Sequence, residues 1–189
     1  DAISTFKFYK KKDVEKKLGF EFKKKNIIFT FHPITLDKNK SKEQILILLE
    51  CLSQFRDIFF IFTMANADTY GKVINKEIKK FVKKNSNSIF YKSLGQQLYY
   101  NCLKHVDAMI GNSSSGILEA PSFNLPAINI GDRQQGRDQG TNVINVDINR
   151  KEIVNAIKNI YKNREKVFKS PYIKKNASLN TYKVLKQIT

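Results

Sequence analysis

The sequence predicts an α/β fold of the doubly wound kind, a mostly parallel sheet flanked by helices, and three observations carry that prediction. Six short apolar runs have strand length, and helical periodicity fills the intervals between them. No internal repeat or low-complexity tract interrupts the alternation. Between the fourth and fifth runs, Gly111-Asn112-Ser113-Ser114-Ser115-Gly116 joins a strand end to a short helical stretch. Strand ends of open α/β sheets are where ligands gather.

Taken in order, residues 1–24 are highly charged and read as a linker and short helix from a domain junction, with Asp1 as a cut end. A helix is expected from Lys12 to Leu18, stopped by Gly19. Residues 25–189 read as one domain. Asn26 to Phe31 (NIIFTF) is an unbroken apolar run, the pattern of a parallel strand covered on both faces. It ends in His32-Pro33. Ser41 and Gln44 fit the S-x-x-Q capping box ahead of Ile45, Leu48, Leu49 and Leu52.

Asp57 to Thr63 (DIFFIFT) is the second strand, and the Asn and Asp of Met64-Ala65-Asn66-Ala67-Asp68 favour a tight turn after it. Val73, Ile74, Ile78, Phe81 and Val82 mark one face of a helix. Ser88 to Tyr91 is a short strand, followed by the loop Lys92-Ser93-Leu94-Gly95 and a helix carrying Leu98, Tyr99, Cys102 and Leu103. His105 near its end reads as structural, complementing the helix dipole. Asp107 to Ile110, Ala127 to Ile130 and Val143 to Val146 complete the strands. Asn149 with Glu152 repeats the capping pattern before Ile153 and Ile157, and a last helix is expected from Leu179 to Ile188.

At 189 residues the chain suffices for one well-packed α/β domain and is short for two. It shows no signal-peptide pattern and no apolar run long enough to span a bilayer, so the expectation is cytoplasmic. Cys51 and Cys102 lack metal or redox spacing, and neither a metal nor a cofactor is expected. The net charge of +17 invites a nucleic-acid reading. The excess is mostly Lys in KK and KKK runs, and neither an aromatic-basic motif nor zinc-finger spacing accompanies it. A solvated lysine-rich surface is the better reading, with no nucleic acid and no membrane as partner.

The stretch from Met109 to Arg137 carries the chemistry. A polar turn opening a helix leaves backbone N–H groups free, where aligned peptide dipoles favour an anion. Ser113, Ser114 and Ser115 add hydroxyl donors, and Gly116 allows close approach to the backbone. Glu119, four residues beyond Ser115, faces the same side and can accept from a pair of ribose hydroxyls. Phosphate donors followed by a ribose acceptor describe a nucleotide site. The same residue types also fit an N-cap cluster with a dipole-complementing glutamate, and residue types alone do not separate the two.

GNSSSGILEAPSF followed by LPAINIGDRQQGR resembles the nucleotide-binding segment of the hydrolysing UDP-N-acetylglucosamine 2-epimerases, and weaker echoes run from about Lys25 to the end. The resemblance implies a Rossmann-like domain, one half of a GT-B architecture, that holds UDP and a UDP-N-acetylhexosamine against the enzyme's own N-terminal domain. A homodimer of the full-length enzyme is implied too. In that family a proton leaves carbon 2 of the sugar while UDP leaves carbon 1. Water then adds across the glycal to give N-acetylmannosamine. The carboxylates that move the proton would belong to the N-terminal domain.

Carried over residue by residue, the resemblance implies UDP contacts from Ser113, Ser114, Ser115, Gly116 and Glu119. FTFHPIT matches a strand-end histidine segment, making His32 the catalytic candidate that donates a proton or hydrogen bond to the departing phosphate. ANAD matches a loop whose asparagine, here Asn66, reaches the nucleotide sugar. Leu94 would meet uracil through its backbone, and Arg133 of GDRQQGR would pair with phosphate or with an acidic group of the other half. Ser170-Pro171-Tyr172 resembles a family segment that continues Gly-Asp-Gly, but here Ile173-Lys174-Lys175 follows, and no role is carried onto it. A 2,4-diacetamido trideoxy sugar as substrate, or the donor domain of a GT-B glycosyltransferase, are the alternative expectations.

Overall fold

A computed structural model describes residues 3, 5–34, 38–65, 69–162, 167–173 and 177–188. Asn66 lies outside them. Six parallel strands form one sheet: β1 Asn26–Thr30, β2 Phe59–Thr63, β3 Ser88–Tyr91, β4 Ala108–Gly111, β5 Ala127–Ile130 and β6 Val143–Val146. Their spatial order is β3-β2-β1-β4-β5-β6. The chain winds outward from β1 to β3, then crosses back to lay β4 on the other flank of β1. Order reverses between β1 and β4, and the crevice over that switch point is the ligand position of this topology.

Helices cover both faces: α1 Lys11–Leu18, α2 Lys38–Ser53, α3 Thr69–Lys84, α4 Gly95–Leu103, the single turn α5 Ser115–Leu118 and α6 Arg150–Ile160; a last helix, α7 Ala177–Ile188, joins neither core. A 3-10 turn, Ala120–Phe123, follows α5. Alternate strand residues serve opposite faces, as the pleat requires. Ile27 and Phe29 join Ile45, Leu48, Ile74, Ile78, Ile153 and Ile157 in one core. Ile28 and Met109 join Val14, Leu18, Leu94, Cys102 and Leu103 in the other. This two-sided burial is why β1 is apolar at consecutive positions.

β1 and β4 approach each other closely. At Gly111, φ is 132°, and an added Cβ would stand 1.8 Å from the carbonyl oxygen of Thr30. Only glycine fits there. The next residue, Asn112, donates its N–H to the same oxygen across 3.1 Å, the last backbone contact before the chain turns away.

Two expectations change. The S-x-x-Q pattern is not a cap: α2 already runs from Lys38, so Ser41 lies inside it, fully buried, and Gln44 Oε1 is buried without a partner among the described residues. The segment before β1, expected to be a polar linker, is docked on the domain. Phe6, Phe8, Phe20 and Phe22 pack with Val14 and Leu18 against the second core. Phe6 meets Tyr100 at 5.1 Å and Phe20 stacks on Phe59 at 5.0 Å. Interleaved lysines hid this apolar alternation in the sequence.

Other expectations hold. Gly19 ends α1 in the left-handed conformation. Asn149 caps α6 by accepting from the N–H groups of Lys151 and Glu152. His105 is packed, with its ring on Phe22 at 5.2 Å, but it does not complement the helix dipole, because burial and then the charges of Lys11 and Lys104 push its pKa down and favour the neutral ring. Leu179, Tyr182, Val184 and Leu185 of α7 are exposed.

Candidate functional site

The turn after β4 is built around Ser114, which stands at the N-terminus of α5 in helical conformation without using its hydroxyl as a cap. Among the described residues, nothing accepts from the N–H of Ser113 or of Ser114. Inside the turn, the N–H of Gly116 donates to the carbonyl of Ser113 at 3.2 Å. Ser113 Oγ meets the N–H of Ser115 only at a long 3.4 Å. Because α5 is a single turn, it has little macrodipole. What the turn offers an anion is two open N–H groups and two hydroxyl protons, and the Ser114 hydroxyl makes no capping bond.

Ser115 and Gly116 are placed differently from Ser113 and Ser114. Ser115 is buried, and Tyr99 of α4 donates its phenol proton to Ser115 Oγ across 2.6 Å. That oxygen keeps its own proton to donate. A Cβ on Gly116 would stand 3.1 Å from Cβ of Ala127, so this glycine lets α5 lie against β5. Its side of the turn faces the sheet.

Glu119 is half-buried at the end of α5. Burial raises the Tyr99 pKa first, and the charge of Glu119 pushes it further. The carboxylate is therefore within electrostatic reach of the same phenol that holds Ser115.

A second set of contacts ties three loops together. Asn112 is fully buried. Its Oδ1 accepts from the N–H of His32 at 2.7 Å and its Nδ2 donates to the carbonyl of His32 at 2.8 Å. Its own carbonyl accepts from Arg133 Nη1 at 3.0 Å and from Gln134 Nε2 at 2.8 Å. So His32 at the end of β1, the serine turn at the end of β4 and Arg133 after β5 converge on one residue. The Arg133 guanidinium, on an otherwise exposed residue, is drawn to the turn. Behind the turn, Asn142 donates to the carbonyls of Gly116 and Leu125 at 3.0 and 3.1 Å. Asn112 and Gln134 lie within GNSSSG and GDRQQGR but sequence reasoning gave them no role, and Tyr99 and Asn142 lie in no motif. Their one signal is polarity inside apolar or turn surroundings.

Leu94 is buried in the loop before α4, at the end of β3. Three strand spacings of about 4.8 Å separate β3 from β4, roughly 14 Å in all. Asn66 belongs to residues not described. A concavity of about 1020 Å³ lies off the turn, at the β2–β3 end between Met64, Ala65, Asn75, Ser93 and lysines of α3. It borders the Leu94 loop through Lys92 and Ser93. The serine turn instead stands at the C-terminal end of β4, beside the switch point between β1 and β4. Among the described residues no group of three or more His, Cys, Asp or Glu could hold a metal ion.

A family profile described as UDP-N-acetylglucosamine 2-epimerase matches residues 1–186. The chain belongs to this family. The match includes the docked segment before β1. A GDP/UDP-N,N'-diacetylbacillosamine 2-epimerase (hydrolyzing) of Campylobacter jejuni is 43% identical over 148 residues, covering 78% of this chain and 38% of that protein. The polysialic acid biosynthesis protein P7 of Escherichia coli is 36% identical over 182 residues, covering 93% of this chain and 46% of that protein. The chain thus spans less than half the length of these curated relatives.

Solved structures agree on the fold. A UDP co-structure of MnaA from S. aureus superposes with a TM-score of 0.71 at 17% identity, over 98% of this chain and 49% of that one. The UDP-GlcNAc 2-epimerase of Methanocaldococcus jannaschii in complex with UDP-GlcNAc and UDP gives 0.70 at 16%, over 94% and 49%. The fold is thus the Rossmann-like half of the epimerase family's GT-B architecture. Among the described residues no helix is long and apolar enough to cross a membrane.

Proposed function

We propose that this chain is the UDP-binding half of a hydrolysing UDP-sugar 2-epimerase, acting on a UDP-2-acetamido hexose of the UDP-N-acetylglucosamine class to give UDP and the 2-epimerised free sugar, N-acetylmannosamine. The observation that carries the reading is the turn after β4. Two unsatisfied N–H groups and the Ser113 and Ser114 hydroxyls sit over the switch point, with Arg133 drawn toward them from β5. A diphosphate on that turn, with its ribose on Glu119, would reach toward Leu94 over the roughly 14 Å that three strand spacings provide. Asn66 is assigned to the sugar end.

The reaction breaks the C2–H bond and the C1–O bond, forming a C1=C2 double bond while the C1–O electron pair leaves on UDP. Water then adds its hydroxyl to carbon 1 and a proton to carbon 2. This chain serves the leaving group: preorganised donors at the turn, with His32 and Arg133, stabilise charge as it builds on the diphosphate. A proton or hydrogen bond from His32 would serve the same leaving group. The base at carbon 2 is assigned to the N-terminal half of a longer protein, which would also cover the exposed apolar residues of α7. A cytoplasmic homodimer completes the assignment.

A second substrate is favoured by one observation: the relative at 43% identity and another at 29%, from Legionella pneumophila, are both named for N,N'-diacetylbacillosamine. A UDP-2,4-diacetamido trideoxy sugar would meet the same diphosphate and ribose groups here. Incubating the longer protein with each UDP sugar and identifying the released sugar tests both. Release of UDP with a 2-epimerised sugar supports the assignment. Transfer of an intact glycosyl group to an acceptor would point to a glycosyltransferase instead.

A further inference from the structure

Parallel strands β1 and β4 end their backbone pairing at Thr30 and Gly111, because β4 then bends into the serine turn. The ladder nevertheless continues for one more rung. The Asn112 carboxamide offers His32 an acceptor at 2.7 Å and a donor at 2.8 Å, imitating the peptide group that has turned away. Its main-chain carbonyl meanwhile gathers Arg133 and Gln134. A single fully buried residue therefore fixes the backbone of His32, the origin of the serine turn and the guanidinium of Arg133 relative to one another. Carboxamide chemistry is required: aspartate would keep the acceptor, lose the donor and place charge against the His32 carbonyl, and leucine would remove both bonds to His32.

Resting on the function proposed above, we propose that Asn112 is a positioning residue, which acts on the diphosphate only through His32 and Arg133 by holding both in register with the serine turn. Gln134 supports it: its side chain is buried and spends its donor on the Asn112 carbonyl. Asn112 touches no ligand itself in this account. A residue needed only for folding would lower stability without discriminating between parts of the ligand.

The test is calorimetric titration of the wild-type chain, Asn112→Asp, Asn112→Ser, Arg133→Ala and the Asn112→Asp/Arg133→Ala double variant with UDP and with uridine. Asn112→Asp is expected to weaken UDP by about tenfold or more while uridine changes by less than about twofold, and the uncharged Asn112→Ser to reproduce that UDP-selective loss, which separates lost positioning from charge repulsion. In the Arg133→Ala background the loss from Asn112→Asp should shrink, because the two act through one geometry. Equal losses for UDP and uridine, or an unchanged loss in the double variant, would overturn the proposal. Asn112→Ser, which leaves a hydroxyl and room for a water, replaces the aspartate if that variant does not fold. Failure of both to fold would assign Asn112 to the fold alone. Wild-type chain that binds no UDP would remove the functional reading itself, and this inference with it, whereas wild-type binding unaffected at position 112 removes only the inference.

Discussion

The phenol of Tyr99 donates to Ser115 Oγ across 2.6 Å, joining α4 to the first residue of α5 from within the second core. Removing the donor by Tyr99→Phe leaves the buried Ser115 hydroxyl oxygen with one partner fewer. The expected cost is about 1 kcal/mol in urea unfolding. Ser115→Ala combined with Tyr99→Phe should cost clearly less than the sum of the two single changes, since both break one bond. Full additivity would show that the bond contributes nothing.

The outline of the fold was legible because burial on both faces writes itself into sequence as unbroken apolar runs such as NIIFTF and DIFFIFT. The serine turn was legible as a strand-to-helix turn, while its residue types fitted an N-cap cluster as well as an anion site. What joins these parts was not. Asn112 and His32 are 80 positions apart, and each bond between them involves a main-chain group of His32 that has no side-chain signature. Tyr99 looked like one more apolar position on a helix face, and its hydroxyl found Ser115 only through packing. The aromatic residues before β1 were masked by the lysines between them.

Glu119→Ala separates the two ends of a nucleotide. UDP presents ribose hydroxyls and inorganic diphosphate does not, so UDP affinity should fall by about 10- to 100-fold, the value of charge-assisted hydrogen bonds. Diphosphate should bind as before or slightly better, because a negative charge has gone. Parallel losses measured by calorimetry would remove the ribose assignment.

Gly111→Ala places a Cβ against the Thr30 carbonyl at 1.8 Å and forces φ of 132° on a residue that resists it. The loss should be about 3 kcal/mol or more, visible as a large fall in unfolding midpoint. Gly136→Ala is the control. Its φ is 80° with open space around the added Cβ, so only the conformational cost of about 1 kcal/mol remains.

Tyr91, whose hydroxyl donates to the Leu18 carbonyl, has its pKa pushed up to about 12 by burial. A folded-state pKa above the unfolded value near 10 contributes stability that is complete below pH 10 and lost as pH rises toward 12. Tyr91→Phe should therefore be less stable than wild type at pH 8, with the gap narrowing above pH 10. A gap independent of pH in thermal melts between pH 8 and 11.5 would contradict this linkage.

The central claim is that the diphosphate of UDP rests on the serine turn over the β1–β4 crevice. Amide chemical-shift mapping of the isotopically labelled chain during UDP titration tests it most directly. Ser113, Ser114 and His32 should move most, with Leu94 following when uridine is attached and staying still with inorganic diphosphate. Largest shifts along Lys72, Lys76 and Lys83 instead, in the lysine-lined groove beside β3, would contradict it.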